Sequence, residues 1–310
     1  MSNIVPIAFA FDNNLVMPAC ICISSLMMNA KEDTFYDIFI LHSASENLNK
    51  SDLDRIPEFY KNCRIQYREV GNEFDGAFEI RGITTPAYYR LLIPELIPEY
   101  DKVLYSDVDV IFRDDLCDIY NTDIAGCYVG GVNSVAHLDN DTIVYYNKLG
   151  LDAKGVIYSG NLIINSKEIL TDNIIPKFKE LRDRKLRFQD MDMINIVCKD
   201  KIKYLPPAFC WTNYINKYSV ERNTHLYEIF SAEEIELAKD RGLVHYNGQK
   251  PWKGYCVNFD IWWEYYRKSP FYDEKFYFDF FYKKLDELDQ LPLIKRIKIL
   301  VRYFVYGKKS

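Results

Sequence analysis

Two aspartates interrupt an apolar segment that otherwise has the composition of a buried strand. Segment 102–112, KVLYSDVDVIF, places Asp107 and Asp109 two residues apart. A carboxylate without a partner inside a covered strand would be very costly, and a bound divalent cation compensates that cost. At strand spacing both side chains lie on one face, roughly 6.5–7 Å apart along the chain. The pair therefore predicts a site for a hard cation with positions left for phosphate oxygens.

The Asp-x-Asp spacing alone carries little information, because short motifs recur by chance. The chain contains four such pairs, Asp52/Asp54, Asp107/Asp109, Asp139/Asp141 and Asp190/Asp192. The first and third pairs lie in polar surroundings, where we expect solvated or helix-capping side chains. Asp107 and Asp109 have apolar flanks, which favours the cation site for this pair.

Composition bounds the class of protein. With 310 residues and 48% hydrophobic side chains the chain can bury a large core, and its net charge of −6 argues against a nucleic-acid binder. The start of the chain has no pattern of a secretory signal, and no apolar run is long enough to span a bilayer. The eight scattered cysteines are therefore predicted to be reduced thiols, and the predicted location is the cytoplasm.

Strand-like and helix-like segments alternate along the first half of the chain. The predicted strands are 4–11, 35–42, 64–70 and 102–112, and the predicted helices are 18–29, 49–61 and 85–97. This alternation predicts an α/β fold whose mostly parallel, Rossmann-like sheet is flanked by helices. Ligands of such sheets bind beyond the carboxyl ends of the strands, and Asp12 and Asp107 both lie at such ends.

The second half predicts further strands and helices and an aromatic C-terminal region. The predicted strands are 127–132, 156–165 and 243–246, and the predicted helices are 141–149, 172–185, 190–199 and one from the Ser231 capping box to about Arg241. Aromatic residues crowd segment 252–282. We therefore expect one α/β domain over 1–255 and a C-terminal helical extension over 256–310, without a linker between them.

Five segments, in this order, resemble glycosyltransferase family eight. They are AFDNN at 10–14, YRL at 89–91, DVD at 107–109, QDMD at 189–192 and VHYNGQKPW at 244–252. The chain resembles the bacterial lipooligosaccharide galactosyltransferases of that family most and glycogenin more distantly, over residues 4–255. The resemblance implies a GT-A fold and retaining, Mn²⁺-dependent transfer of a hexose from UDP-galactose or UDP-glucose, with Mg²⁺ as the alternative cation. The implied acceptor is a glycan or a lipid- or protein-linked saccharide.

The family's functional residues can be carried over by position. The resemblance implies a metal site of Asp107, Asp109 and His245, and imidazole favours Mn²⁺ over Mg²⁺ among such ligands. It implies that Asp190 binds hydroxyls of the donor sugar in catalysis. The implied substrate-binding residues are Ala10, Asp12 and Asn14 for uridine, Arg90 for the sugar and phosphates, and Asn247, Gly248 and Lys250 in a loop over the diphosphate.

Each carried-over residue also has a simpler interpretation. His245 could be a core histidine bonded to a backbone carbonyl, and Arg90 could pair with Glu95 or with a helix end. Lys250 could be a solvated loop residue, and Asp12 could cap the following helix, with or without binding a ligand. These alternatives stay open at the level of sequence.

Two positions depart from the family pattern. Tyr158 stands where an Asn near the donor sugar is usual, and Met191 stands where a Gln lies under the reacting face of the sugar. Methionine can neither hydrogen-bond strongly nor act as a nucleophile. The departures fit a front-face displacement in which the leaving phosphate helps to deprotonate the acceptor, while Asp192 stabilises its own helix.

Two other functions compete with a transferase. A catalytically degenerate nucleotide-sugar-binding protein would explain the Tyr158 and Met191 departures. A sugar-nucleotidyltransferase needs a Gly-rich basic loop after the first strand, and segment 10–16 contains neither Gly nor Lys.

The last twenty residues have a composition of their own. Segment 291–310 contains six Lys or Arg and no acidic residue, and at helical spacing Leu293, Ile297 and Phe304 share an apolar face. This pattern predicts peripheral contact with an anionic membrane on the cytosolic face, the alternative being a helix packed on the domain. A homo-oligomer remains open.

Overall fold

The strands and helices follow the alternation of the sequence. A computed structural model describes residues 3–79, 84–135 and 139–306, with the side chains at 302, 303, 305 and 306 outside the description. The strands are β1 (Asn3–Ala10), β2 (Thr34–Ser43), β3 (Cys63–Val70), β4 (Val103–Ser106), β5 (Val110–Phe112), β6 (Val129–Asn133), β7 (Ile157–Ile164), β8 (Ile202–Leu205), β9 (Trp211–Thr212) and β10 (Leu243–His245).

The helices connect these strands and extend the chain at its C-terminus. They are α1 (Val16–Met28), α2 (Ile56–Phe59), α3 (Ile93–Leu96), α4 (Cys117–Tyr120), α5 (Asn140–Lys148), α6 (Ser166–Thr171), α7 (Ile175–Glu180), α8 (Gln189–Val197), α9 (Asn213–Val220), α10 (Thr224–Ile229), α11 (Ala232–Asp240), α12 (Phe259–Lys268), α13 (Glu274–Asp289) and α14 (Leu293–Tyr306). Short 3₁₀ helices lie at Asn13–Leu15, Leu53–Arg55, Thr85–Leu92, Ala153–Gly155 and Pro207–Phe209.

The described strands form two sheets. The central sheet has the order β3-β2-β1-β4-β7-β6-β8, and the small sheet has the order β5-β10-β9. In the central sheet β7 runs antiparallel to β4 and β6, whereas the other pairs are parallel. The predicted α/β fold with a mostly parallel sheet is confirmed.

Both faces of the central sheet are buried. Along β1, Ile7 and Phe9 join one apolar cluster, while Ala8 and Ala10 join the other. A strand covered on both sides explains why its sequence is a continuous apolar run rather than an alternating one. Helix α1 contributes Ile21 and Ile23 to the first cluster, and the 3₁₀ helix at Thr85–Leu92 contributes Leu91 to the second.

The predicted single strand over 102–112 is wrong in one respect that matters for function. The segment divides into β4, which belongs to the central sheet, and β5, which belongs to the small one. Asp107 and Asp109 lie in the break between them. A continuous strand covered on both faces would bury these carboxylates among apolar side chains. The break instead lets the backbone bring the two carboxylates together at the C-terminal end of β4.

Three predicted α-helices are shorter than expected. Segment 85–97 holds the 3₁₀ helix at Thr85–Leu92 followed by the four-residue α3. Segment 49–61 holds only the 3₁₀ helix at Leu53–Arg55 and the four-residue α2, since Pro57 cannot donate the hydrogen bond that a longer helix needs. Segment 172–185 holds only α7, because Asn173 takes a left-handed φ of 52° and Pro176 then begins a new helix. The predicted capping box at Ser231 is confirmed, with both of its hydrogen bonds present.

The C-terminal helices pack through aromatic side chains and leave one face open. Trp263 of α12 lies 4.6 Å from Phe280 and 5.0 Å from Phe281 of α13, measured between ring centroids. In α14, by contrast, Leu293 and Ile294 are 71% and 69% exposed, so these apolar side chains face solvent. Within the described residues, no helix combines the length and apolar character needed to cross a bilayer. A domain boundary at residue 255 stays a prediction.

Candidate metal and donor-sugar site

The break between β4 and β5 brings three potential metal ligands together. The N–H of Asp107 donates to Gly160 O of β7 at 2.8 Å, and Asp109 O accepts from Tyr246 N at 2.8 Å. These two backbone hydrogen bonds hold residues 107–109, which connect the central sheet to the small sheet. In the small sheet β10 pairs antiparallel with β5, with His245 opposite Val110. The register therefore places His245 beside both aspartates.

The three side chains have the geometry of a cation site. His245 Nε2 lies 3.3 Å from Asp109 Oδ1 and 3.6 Å from Asp107 Oδ2. One ligand atom from each of the three residues lies within 4.8 Å of the other two. His245 is buried, whereas the side chains of Asp107 and Asp109 keep 26% and 13% of their surface exposed. The alternative of a core histidine bonded to a backbone carbonyl does not describe this ring.

The space and charge around the three residues fit a divalent cation. Gly160 faces the group, and a Cβ at this position would lie 2.7 Å from Asp107 Oδ2, so glycine keeps the space beside the carboxylate open. Lys250 Nζ contacts Asp109 Oδ2, and Arg90 Nη2 donates to Asp107 Oδ1 at 2.8 Å. Each carboxylate thus already has a cationic neighbour. Two carboxylates and an imidazole are a donor set that can hold a divalent metal ion.

The charges in the site shift the pKa values of its members. Burial opposes the charged form of Asp109, but Lys250 and His245 outweigh it and hold the pKa of this carboxyl below its usual range. Burial likewise disfavours a charged His245, yet Asp109 raises the pKa of the imidazole to about 10. The opposite charges of Asp109 and His245 therefore stabilise each other, and a cation held at Nε2 would take the place of the proton.

Arg90 joins the candidate metal ligands to Asp190. The buried guanidinium donates from Nη1 to Ser159 O at 2.6 Å and from Nε to Ala87 O at 2.7 Å, and Nε lies 3.4 Å from Asp190 Oδ2. Burial raises the pKa of Asp190, although Arg90 opposes this shift. The alternative pairing of Arg90 with Glu95 is wrong, because Glu95 pairs with Lys179 at 3.2 Å.

The predicted uridine-binding residues lie at the end of β1. Ala10 ends the strand, and Asp12 accepts from the N–H of Asn14 at 2.9 Å, so Asp12 caps the 3₁₀ helix as the simpler interpretation held. Asn13 anchors this turn by donating from Nδ2 to Glu46 Oε1 at 2.8 Å. Nothing in this geometry tests uridine binding, which stays a prediction.

The loop after β10 lies over the same site. Lys250 Nζ donates to Tyr246 O at 2.8 Å in addition to contacting Asp109, so it is not a solvated loop lysine. Asn247 Oδ1 is buried without a hydrogen-bond partner among the described residues. Gly248 is exposed, and a Cβ there would lie 3.3 Å from Asn213 Nδ2. The loop therefore presents polar groups beside the carboxylates.

The two positions that depart from the family pattern are both buried. Tyr158 and Met191 belong to the apolar cluster on the α1 side of the central sheet. The hydroxyl of Thr212 donates to Tyr158 Oη at 3.3 Å. Asp192 accepts from the N–H of Phe188 at 2.8 Å, as expected of a residue that stabilises the start of α8.

Several residues of the site were missed at the level of sequence. Gly160 and Asn161 of β7, Tyr105 and Ser106 of β4, and Cys210 surround the predicted ligands. The segment Ser159-Gly160-Asn161 interrupts an apolar strand just as Asp107 interrupts segment 102–112. That shared interruption was a usable signal, because polar residues inside covered strands call for partners.

Comparison with known proteins identifies the family. The model of glycosyl transferase family 8 matches residues 6–256. The chain belongs to this family. The family resemblance and the predicted glycosyltransferase enzyme class are therefore confirmed.

Individual relatives are distant. A putative glycosyltransferase of Haemophilus influenzae is 25% identical over 217 residues, which cover 68% of this chain and 64% of that protein. Lipopolysaccharide 1,2-glucosyltransferase of Escherichia coli is 24% identical over 257 residues, covering 79% of this chain and 72% of that protein. The chain thus spans less than two thirds of the length of the Haemophilus relative.

A solved structure confirms the fold class. Galactosyltransferase LgtC, in complex with donor and acceptor sugar analogues, superposes with a TM-score of 0.70 at 22% identity over 87% of this chain and 98% of LgtC. At this identity the likeness concerns the fold alone. The predicted GT-A fold class is confirmed.

Proposed function

We propose that this chain is a retaining hexosyltransferase that moves a sugar from a UDP-sugar to a saccharide acceptor with Mn²⁺ as its cation. The observation that carries the proposal is the convergence of Asp107, Asp109 and His245 next to the Arg90–Asp190 pair. A family relative named as a lipopolysaccharide glucosyltransferase supports the choice of a hexose. UDP-galactose and UDP-glucose are both candidate donors.

The residues around the site have distinct roles in this proposal. Asp107, Asp109 and His245 would hold the cation, which as a Lewis acid stabilises the negative charge of the departing diphosphate. Lys250 supplies a second positive charge on that side. Asp190 is buried against Arg90 and orients hydroxyls of the donor sugar, while Asp12 and Asn14 bind uridine together with the backbone at Ala10.

Met191 restricts the chemistry of the sugar transfer. The residue follows Asp190 in α8, is buried, and has no group that can attack the anomeric carbon. We therefore propose front-face displacement, in which the bond to the diphosphate breaks as the acceptor oxygen bonds to the same face. The acceptor proton passes to a leaving phosphate oxygen, which balances the charge of the step.

The function is tested with the full chain and a panel of UDP-sugars. The expected result is release of UDP that depends on Mn²⁺, together with transfer to a glycan acceptor. Binding of a UDP-sugar without any release of UDP would instead identify a nucleotide-sugar-binding protein, the alternative favoured by Tyr158 and Met191. Formation of a nucleotide-sugar from UTP and a sugar phosphate would identify a nucleotidyltransferase.

A further proposed partner is an anionic membrane surface, with the enzyme itself in the cytoplasm. In α14, Leu293, Ile294 and Phe304 are exposed, and Lys295 and Lys298 are exposed on the same helix. Exposed apolar side chains together with basic ones, without an acidic residue in α14, match the interface of an anionic bilayer. Such contact would bring the site to a lipid-linked acceptor. The side chains of Tyr303 and Tyr306 lie outside the described residues.

A further inference from the structure

A buried polar network lies behind the imidazole of His245. The Nε2 edge of the ring faces the two aspartates, whereas Nδ1 faces away from them. Asn161 Nδ2 lies 3.3 Å from Nδ1, and Cys210 Sγ lies 3.5 Å from it. All three residues are buried, with Asn161 and Cys210 fully inaccessible. The hydrogen-bonding state of Nδ1 is therefore decided by these two neighbours.

Binding of a cation at Nε2 fixes the proton of the ring. A neutral imidazole has one N–H, so a ring that coordinates metal through Nε2 carries its proton on Nδ1. That proton needs an acceptor, and in metal sites the acceptor orients the ring and increases its basicity. In the present orientation of Asn161 the NH₂ group faces Nδ1, which would set two donors against each other.

A second conflict in the present orientation involves the hydroxyl of Ser106. It lies directly opposite Asn161 in the antiparallel pairing of β4 and β7. Its Oγ is 2.8 Å from Asn161 Oδ1 and also 2.9 Å from Asp107 O. A hydroxyl has a single proton, so in the present orientation two acceptors compete for it.

Rotation of the Asn161 amide by half a turn removes both conflicts, although Asn161 Nδ2 then no longer donates to Cys210 Sγ, which lies 3.5 Å away in the present orientation. The Nδ1 proton of His245 then goes to Asn161 Oδ1, the amide NH₂ donates to Ser106 Oγ, and Ser106 donates to Asp107 O. Each donor in this chain of hydrogen bonds has its own acceptor. The chain also joins two of the candidate metal ligands, since it runs from the ring of His245 to the backbone of Asp107.

We propose that Asn161 is a positioning residue that accepts the Nδ1 proton of His245 when a divalent cation binds at Nε2, with Ser106 completing the relay. The inference rests on the proposed cation at Asp107, Asp109 and His245. It assigns a role in metal affinity to β7, which contributes no ligand itself. The Sγ of Cys210 is the competing acceptor for the Nδ1 proton of His245. A thiol sulfur accepts hydrogen bonds only weakly, which favours Asn161.

The test measures Mn²⁺ affinity rather than turnover. Free Mn²⁺ is titrated by electron paramagnetic resonance against the full chain in the presence of UDP. Asn161→Leu should weaken Mn²⁺ binding about 10–100-fold, the usual effect of losing a partner of a ligating histidine. Asn161→Asp should match or exceed the wild-type affinity, since a carboxylate accepts the same proton. Cys210→Ala is the matched control and should bind Mn²⁺ like the wild type.

The outcomes separate this inference from the proposed function. A wild-type chain that does not bind Mn²⁺ overturns the metal centre and the inference together. Equal binding by wild type and Asn161→Leu, equal losses in Asn161→Leu and Asn161→Asp, or a loss confined to Cys210→Ala overturns the inference alone. Should Asn161→Leu not fold, ¹⁵N spectra of the histidine rings in wild type with Mg²⁺ and UDP decide the matter. A proton on Nδ1 of His245 is expected, and a proton on Nε2 overturns the proposal.

Discussion

Gly160 faces the imidazole of His245 so closely that the two residues leave no room for a methyl group between them. A Cβ at position 160 would lie 2.7 Å from Asp107 Oδ2 and closer still to His245 Cε1. Both neighbours are candidate metal ligands, and Gly160 O also accepts the N–H of Asp107. The missing side chain is therefore a requirement of the site.

Gly160→Ala should weaken Mn²⁺ binding by at least about tenfold, because the methyl group displaces ligands that must be held in place. Gly130→Ala is the control in the neighbouring strand β6, where the nearest heavy atom to a new Cβ is 3.4 Å away. Titration of Mn²⁺ against both variants measures the effect. Equal affinities would show that the site tolerates the methyl group and that Gly160 has no role in it.

Asp109→Ala should abolish Mn²⁺-dependent UDP binding and turnover while leaving the thermal unfolding transition in place. The residue supplies a ligand at the edge of the sheet, and its loss leaves Lys250 able to reach solvent. Asp141→Ala is the matched control, since Asp141 belongs to another Asp-x-Asp pair and is exposed. Near-normal turnover of Asp109→Ala in Mn²⁺ would contradict the assignment of the metal site.

Asp12 should make the chain prefer UDP to GDP. A carboxylate can accept the N3–H of uracil, and an unpaired buried acceptor costs about 1–3 kcal/mol. Asp12→Ser keeps an oxygen that can cap the following 3₁₀ helix but removes the carboxylate. Calorimetry should therefore show weaker UDP binding by this variant at unchanged stability. Equal affinity of the wild type for UDP and GDP would refute base recognition by Asp12.

The sequence predicted which three side chains cluster at the candidate metal site, but it did not predict the backbone that positions them. Asp107 and Asp109 stood out because charges are rare in apolar strands, and the family resemblance added His245, 136 residues beyond Asp109 in the chain. The break between β4 and β5 was not predicted, because strand period and apolar content are the same on both sides of it. The strand is interrupted because β5 pairs with β10 in the small sheet instead of continuing the central sheet.

Other parts of the site depend on packing that no local pattern encodes. The register that sets Ser106 opposite Asn161 follows from pairing between strands 50 residues apart, and the polar segment Ser159-Gly160-Asn161 does not by itself show which strand it pairs with. The helix predicted over 49–61 is shorter for a local reason instead, since Pro57 lacks the N–H that a continuous helix over this segment needs. Strand register thus depends on residues far apart in the chain, whereas the length of this helix depends on a single proline.

Asp37 offers a stability test away from the site. Burial alone would raise the pKa of this carboxyl, but hydrogen bonds from Arg64, Tyr100 and Gln66 hold it below its ordinary value. A depressed pKa contributes stability that is present above about pH 4 and is lost as the pH falls through the folded-state value. Asp37→Asn should therefore cost about 1–3 kcal/mol at pH 7 and less at pH 3. Urea unfolding at both pH values checks this, and a pH-independent difference would contradict it.

Helix α14 should bind vesicles that contain anionic lipid but not neutral ones. Each basic residue near an anionic surface contributes on the order of 1 kcal/mol, and added salt screens this attraction. Replacing Lys295, Arg296 and Lys298 by Gln keeps the exposed apolar residues and should abolish co-sedimentation, with turnover on a soluble acceptor retained. Equal sedimentation with both vesicle types, or with neither, would argue against the membrane contact.

The division of segment 102–112 between two sheets also orders events during synthesis of the chain. Asp107 and Asp109 leave the ribosome long before His245, and β5 has no partner in the small sheet until β10 has been made. A growing chain therefore holds two carboxylates without the third candidate ligand while the 136 residues from Asp109 to His245 are added. The candidate cation site is therefore complete only after β10, which carries His245 and joins β5 to β9, has been synthesised.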